Sequence, residues 1–177
     1  MILEKGVTLL ELLITLTIMS LTLTIGLPHF QALIISSRLT ASANAMMSAL
    51  QLARFEALKQ QKNVVVANKN GKWENGWLVF IDEKIENNQL DSHESVLTHF
   101  DALHSSVYVT APSAYKNYVY YDKYGRINAD GLGNGTLSFC TASEWHDFRA
   151  VVIALTGRIH IESSTTKPSA KYETNCQ

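Results

Sequence analysis

From Val7 to Leu27 the chain carries one charged residue, Glu11, in an otherwise apolar and hydroxyl-bearing run. About 20 such residues are what a helix needs to cross a bilayer. A helix that is apolar all round has no wet face, so it belongs in lipid or among other apolar helices. Thr8, Thr15, Thr17, Ser20, Thr22 and Thr24 are compatible with that setting, because their hydroxyls can bond back to carbonyls of their own helix. Glu11 is the exception. A carboxylate inside a membrane helix costs roughly 3 kcal/mol on insertion scales, and it calls for a partner and a purpose. A cleaved secretory signal would have a basic leading region, a shorter apolar core and a small-residue site after that core. Here the possible cut site, Gly6, precedes the run, and Glu4 cancels Lys5 in the leader. A plain membrane anchor leaves Glu11 unexplained.

The segment Gly6-Val7-Thr8-Leu9-Leu10-Glu11-Leu12 resembles the type III signal of prepilins and pseudopilins. The resemblance implies cleavage by a prepilin peptidase between Gly6 and Val7. It implies N-methylation of Val7, at a position where phenylalanine is usual in the family. Glu11 would then meet the N-terminal amine of a neighbouring subunit during assembly. Two opposite charges that leave water together favour the register in which they pair. Pro28 stands where pilins often have a proline, and it removes a helix hydrogen bond, so a kink in a continuing helix is expected there.

From His29 to about Lys62 the helical period continues but becomes one-sided. Leu39, Ala43, Met46, Leu50, Ala53 and Ala57 form one stripe, with Arg38, Asn44, Gln51, Arg54 and Lys59 mostly off it. Such a helix needs a domain to cover its stripe. Beyond Lys62 the period becomes that of strands. Val64-Val65-Val66 and Trp77–Asp82 read as a hairpin over residues 63–82, with turn material at Asn68–Gly71 and Glu74–Gly76. Further strands are expected at Ser95–Phe100, Ser106–Thr110, Tyr118–Asp122, Gly135–Cys140, Arg149–Leu155 and Arg158–Ile161. Polar or glycine-rich loops are expected at Glu83–His93 and Ala129–Gly135. The expected fold is α+β: one long N-terminal helix packed on an antiparallel sheet of roughly six to eight strands. The expected segments are a leader at 1–6, a transmembrane or filament-core helix at 7–27, an amphipathic second half at 28–62 and a β domain with a C-terminal tail at 63–177.

Setting aside Glu4, Lys5 and Glu11, the remainder carries 14 basic and 14 acidic residues. Attraction to a polyanion must therefore come from a local patch. Two cysteines, Cys140 and Cys176, fall in the half that the signal would export, and an even number there favours a disulfide. In the chain-entropy model, closing that loop contributes roughly 4 kcal/mol. The six histidines show no paired metal spacing, and there is no nucleophile elbow, phosphate loop or Cys-x-x-Cys. Asp82, Glu83 and Glu86 read as a solvated acidic loop. No catalytic residue, metal or cofactor is expected, and the chain does not read as an enzyme.

Two similar turns remain, Gly125-Arg126-Ile127-Asn128 and Gly157-Arg158-Ile159-His160. On the residues alone, the glycine serves the turn and the arginine solvates a strand end. The order of strand, Gly-Arg turn, strand ending in Cys140, β-branched strand, second Gly-Arg turn and final Cys176 resembles the GspH/FimT group of minor pilins. That resemblance covers nearly the whole chain. The FimT branch resembles a DNA receptor for transformation, with a Gly-Arg-x-Arg motif near its C-terminus. Carried over, it implies weak, sequence-independent binding of double-stranded DNA through Arg158, supported by Lys167, Lys171 and Arg149. His160 stands in the second basic place, where a neutral imidazole contributes little phosphate attraction near pH 7. The implied function is a minor pilin of a type IV pilus, in its tip complex or filament, assisting assembly and DNA uptake. The alternative is a GspH-like pseudopilin of type II secretion. Implied partners are major and minor pilins, the prepilin peptidase and the bacterial inner membrane. The implied location is that membrane before assembly, with the domain facing the periplasm, and a cell-surface pilus afterwards.

Overall fold

The computed structural model describes residues 6–82, 90–127, 134–141 and 148–164. Cys176, Lys167, Lys171, the leader residues before Gly6 and the acidic pair Glu83 and Glu86 lie outside the described residues. The chain divides into two compact units, Met1–Ser36 and Ser37–Gln177. One helix, α1 (Leu9–Gln60), contributes its first half to one unit and its second half to the other, and Pro28 lies inside it.

In the first unit α1 is exposed along its apolar length and long and apolar enough to cross a membrane. Thr15, Thr17, Ser20, Thr22 and Thr24 each donate to a carbonyl three or four residues back, as the sequence suggests. Thr8 behaves differently. It stands just before the helix, and its Oγ1 accepts from the Glu11 backbone N–H at 3.2 Å. This is one half of a capping box, a Thr-x-x-Glu arrangement that satisfies an otherwise unpaired first-turn N–H.

In the second unit α1 buries Leu39, Ala43, Met46, Leu50, Ala53 and Ala57, the expected stripe, together with Ala49, Ser42 and Glu56. The helix stops where Gln61 adopts a left-handed backbone (φ 55°), with its side chain donating to the Leu58 carbonyl. Among the described residues eight strands follow: β1 (Asn63–Lys69), β2 (Lys72–Asp82), β3 (Ser95–Phe100), β4 (Val107–Thr110), β5 (Tyr118–Tyr121), β6 (Gly135–Thr141), β7 (Phe148–Ile153) and β8 (Ile159–Ser164).

The strand number matches expectation, but the expected single sheet is two. One sheet runs β3-β2-β1-β5 and the other β4-β6-β7-β8, every pair antiparallel. The inner faces bring Val64, Val66, Trp77, Val79, Val119 and Tyr121 of the first sheet, and Leu137, Phe139, Val151 and Ile153 of the second, into one core with the helix stripe. Trp77 stacks on Phe100 with ring centroids 5.3 Å apart.

Glu74–Gly76 is not a turn. It belongs to β2, which starts at Lys72 and carries a register break opposite Asn68 and Lys69. Gly76 makes this possible: its φ is +88°, and a Cβ there would sit 2.3 Å from the Phe100 carbonyl oxygen. The detoured segment links the two sheets. Glu74 accepts from the Leu103 N–H through its backbone carbonyl at 2.8 Å and from the Val109 N–H through its carboxylate at 2.9 Å.

Candidate functional site

The two Gly-Arg turns are the same device. In the first, the Gly125 N–H donates to the Asp122 carbonyl (2.8 Å) and the Asp122 N–H to the Arg126 carbonyl (2.9 Å). In the second, Gly157 donates to Ala154 (2.8 Å) and Ala154 to Arg158 (2.9 Å). Each glycine is left-handed, with φ of 70° and 78°. This is a short loop closed by a residue in the left-handed region, where glycine carries no Cβ penalty.

The sequence shows the likeness of the two turns but not that they touch. The Ile127 N–H donates to the Leu155 carbonyl at 3.3 Å. A Cβ on Gly157 would lie 2.1 Å from the Gly125 carbonyl oxygen, so only glycine fits there. Arg54 joins them from the helix: its Nε donates to the Gly125 carbonyl and its Nη2 to the Thr156 carbonyl, both at 3.1 Å. One guanidinium thus bridges the end of each sheet. On sequence grounds Arg54 is merely off the apolar stripe. Its partners are 71 and 102 residues away, and no local signal points to them.

The cations differ in what holds them. Arg126 pairs with Asp122 through Nη2 at 2.9 Å, and its guanidinium lies 5.1 Å from the Tyr124 ring centroid. Lys123 Nζ lies 5.3 Å from the same centroid. The Arg158 side chain is exposed and has no hydrogen-bond or ion-pair partner among the described residues. His160 Nε2 lies 3.1 Å from Glu162 Oε1, so this pair adds no net positive charge whether or not the imidazole is protonated. Arg149 is placed elsewhere. Its register neighbour is Ser163, while His160 pairs with Val152, which puts the two on opposite faces of the sheet. Arg149 Nε donates instead to Thr40 Oγ1 on the helix at 3.2 Å.

Beneath the first turn, Leu58 packs near Gly125. The Gln60 side chain and Lys59 both bond the Glu56 carboxylate and hold its pKa below the ordinary value of 4.5. Burial pushes the Tyr115 hydroxyl up to about 12 and raises that of Tyr121, against an opposing pull from Arg54. These phenols stay neutral and belong to the core. Cys140 lies on β6 with its Sγ 3.8 Å from the Tyr108 carbonyl oxygen.

A membrane-length apolar helix continuing into an amphipathic half that packs on antiparallel sheets defines the chain as pilin-like. The family model described as "Type II transport protein GspH" matches residues 42–157, well over half of the chain, and the chain belongs to that family. The type IV minor pilin FimU of Pseudomonas aeruginosa is similar in fold, with a TM-score of 0.62 at 20% identity over 77% of this chain and 96% of that one. A second crystal form of FimU gives 0.60 at 21% identity, covering 76% and 100%. The minor pseudopilin EpsH of the Vibrio cholerae type 2 secretion system gives 0.47 at 11% identity, covering 71% and 97%. Comparison with curated protein sequences returns no match. The family consists of structural pilins and pseudopilins, not of enzymes.

Proposed function

We propose that this chain is a minor pilin of a type IV pilus, held in the inner membrane before assembly and drawn into the filament with other pilins. One observation carries the reading. The apolar first half of α1, long enough to span a membrane and exposed within the chain, bears a single carboxylate, Glu11, in its first turn, ahead of a GspH-family domain. In this reading 1–6 is the leader, 7–27 the filament-core helix, 28–62 its amphipathic continuation and 63–177 the β domain. Prepilin peptidase cuts after Gly6, which precedes the helix and is exposed. Val7 is then methylated, and Pro28 bends the helix. The Thr8 cap fixes the helix start and sets Glu11 in the first turn. That carboxylate selects the neighbour's N-terminal amine as subunits leave the membrane. Cys140 pairs with Cys176, a reading supported by the absence of a free cysteine thiol among the described residues. The domain supports DNA uptake by weak, salt-dependent binding to double-stranded DNA.

The test compares sheared surface filaments with membranes. Wild type is expected in both fractions, cut after Gly6 by mass. Glu11→Ala is expected to be cut but to remain in the membrane fraction. Equal recovery of Glu11→Ala in filaments would overturn the assembly role. A second reading, a pseudopilin of type II secretion, is favoured by the description of the family model. Loss of protein secretion with intact pili in a deletion strain would select it.

A further inference from the structure

Among the described residues of the second unit, seven large apolar side chains are exposed, and four of them gather at the seam where the two turns touch. Phe55 is 60% exposed, Leu58 45%, Tyr124 61% and Leu155 55%. The other three lie on β3, on β4 and in the segment before β3. Leu58 packs on Gly125, the residue after Tyr124, and Phe55 is its neighbour on the helix surface, three residues back. Leu155 is tied to the first turn through its carbonyl, which accepts from the Ile127 N–H. Both rings carry cations: Lys59 Nζ lies 5.8 Å from the Phe55 centroid, and Lys123 and Arg126 lie over Tyr124. The helix end from Arg54 to Gln60 and the two turns hold five cations, at positions 54, 59, 123, 126 and 158, against two carboxylates, Glu56 and Asp122. Both carboxylates are engaged, Glu56 by Lys59 and Gln60, and Asp122 by Arg126 and two backbone N–H groups. The seam is thus at once apolar and positively charged.

We propose that this seam docks an acidic protein partner, one that presents an apolar side chain flanked by carboxylates. Phe55, Leu58, Tyr124 and Leu155 receive the apolar group, and Lys123, Arg126 and Arg158 face the carboxylates. Arg54 is a positioning residue that holds the two turns together. Clustered exposed apolar side chains rimmed by polar ones mark protein contact surfaces, and aromatic residues and arginine are enriched in such contacts. The occupant follows from charge complementarity. A second copy docked by the same face would set its cations against these, and like charges across an interface repel. A nucleic-acid backbone would use the cations and leave the four apolar side chains in water. An uncharged apolar partner would leave the cations unmatched. The surface lies in the second unit and uses neither Glu11 nor the apolar run, so it is separate from the assembly carboxylate.

The experiment places a photo-crosslinking benzoylphenylalanine at Leu155 in the full-length chain, in its native host, and maps the adduct by mass spectrometry. The expected adduct is with another protein, through a peptide that carries carboxylates beside an apolar residue. Val96, 47% exposed on β3, takes the same crosslinker as a control and should not give that adduct. Lys123→Glu and Arg158→Glu should each lower the adduct yield about five-fold or more, because they oppose the partner's carboxylates. Changing those mapped carboxylates to lysine should restore the yield with Lys123→Glu. Leu58→Ser and Phe55→Ser should each lower it by a similar factor. Leu58 also packs on Gly125, so Phe55→Ser carries the apolar arm if Leu58→Ser lowers Tm. No adduct above the Val96 control would overturn the proposal. So would an adduct confined to copies of this chain, or one indifferent to the charge reversals. A nucleic-acid adduct lost with Lys123→Glu but kept with Phe55→Ser would give the surface to a polyanion instead.

Discussion

The two Gly-Arg turns share a backbone and differ in what holds them. The first carries its own side-chain brace: Asp122 receives two backbone N–H groups of its own loop and pairs with Arg126, in addition to the Arg54 bond that both turns share. The second has Ala154 where the first has Asp122, and it takes its support from afar. The Leu155 N–H donates to Asn134 Oδ1 at 2.7 Å, the Thr156 carbonyl receives Arg54, and Gly157 rests on the backbone of the first turn. A motif repeated in sequence is thus local chemistry in one copy and tertiary docking in the other. The copy with free cation chemistry, at Arg158, is the docked one.

The difference can be broken most sharply at the glycines. Gly157→Ala meets both a left-handed backbone and the Gly125 carbonyl, and should destabilise by about 3 to 4 kcal/mol, lowering Tm by roughly 10 °C. Gly125→Ala meets only the flexible Leu58 side chain at 3.0 Å beside a similar φ, and should cost about 1 to 2 kcal/mol. Equal losses in thermal unfolding would show that the contact between the turns is not tight. Next comes Arg54→Met, which keeps the aliphatic stem and removes both bridging bonds. A loss of about 2 kcal/mol is expected, with faster amide exchange at Ile127. Asp122→Ala should cost about 1 kcal/mol and loosen the first turn alone, whereas Asn134→Ala should loosen the second by a similar amount. The smallest effect lies in the helix end under the first turn. Because the folded-state pKa of Glu56 is lowered, its contribution is present above about 4.5 and is lost as pH falls through the folded-state value. Glu56→Gln should therefore flatten the acid limb of a Tm-against-pH curve and leave the neutral region nearly unchanged.

What was legible in the sequence follows from how local each signal is. The apolar run, the stripe from Leu39 to Ala57 and the hairpin of β1 and β2 repeat at short spacing, so periodicity shows them. The Thr8-x-x-Glu11 cap was equally local and could have been read from its spacing alone. The division into two sheets was not legible. β5 returns to β1 across more than fifty residues, and β4 skips β5 to pair with β6, and neither choice leaves a mark on the strands involved. Arg54 was missed for the same reason, and Glu74–Gly76 because turn residues can also serve a bend inside a strand. Among the expected basic residues, Arg158 stands exposed at the seam, Arg149 is turned to the helix, and His160 is matched by Glu162.

The strand order also governs the history of the chain. Strands of one sheet are interleaved in sequence with strands of the other, because β4 comes before β5 yet lies in the opposite sheet. A chain emerging N-terminus first has three strands of the first sheet in hand but must wait for β5 to close it. By then β4 has been left without a partner until β6 appears. The first sheet is complete once β5 emerges, but it cannot be excised or duplicated without taking β4 of the second. The second sheet thus matures late, with β4 open to mispairing until β6 and the last hairpin arrive.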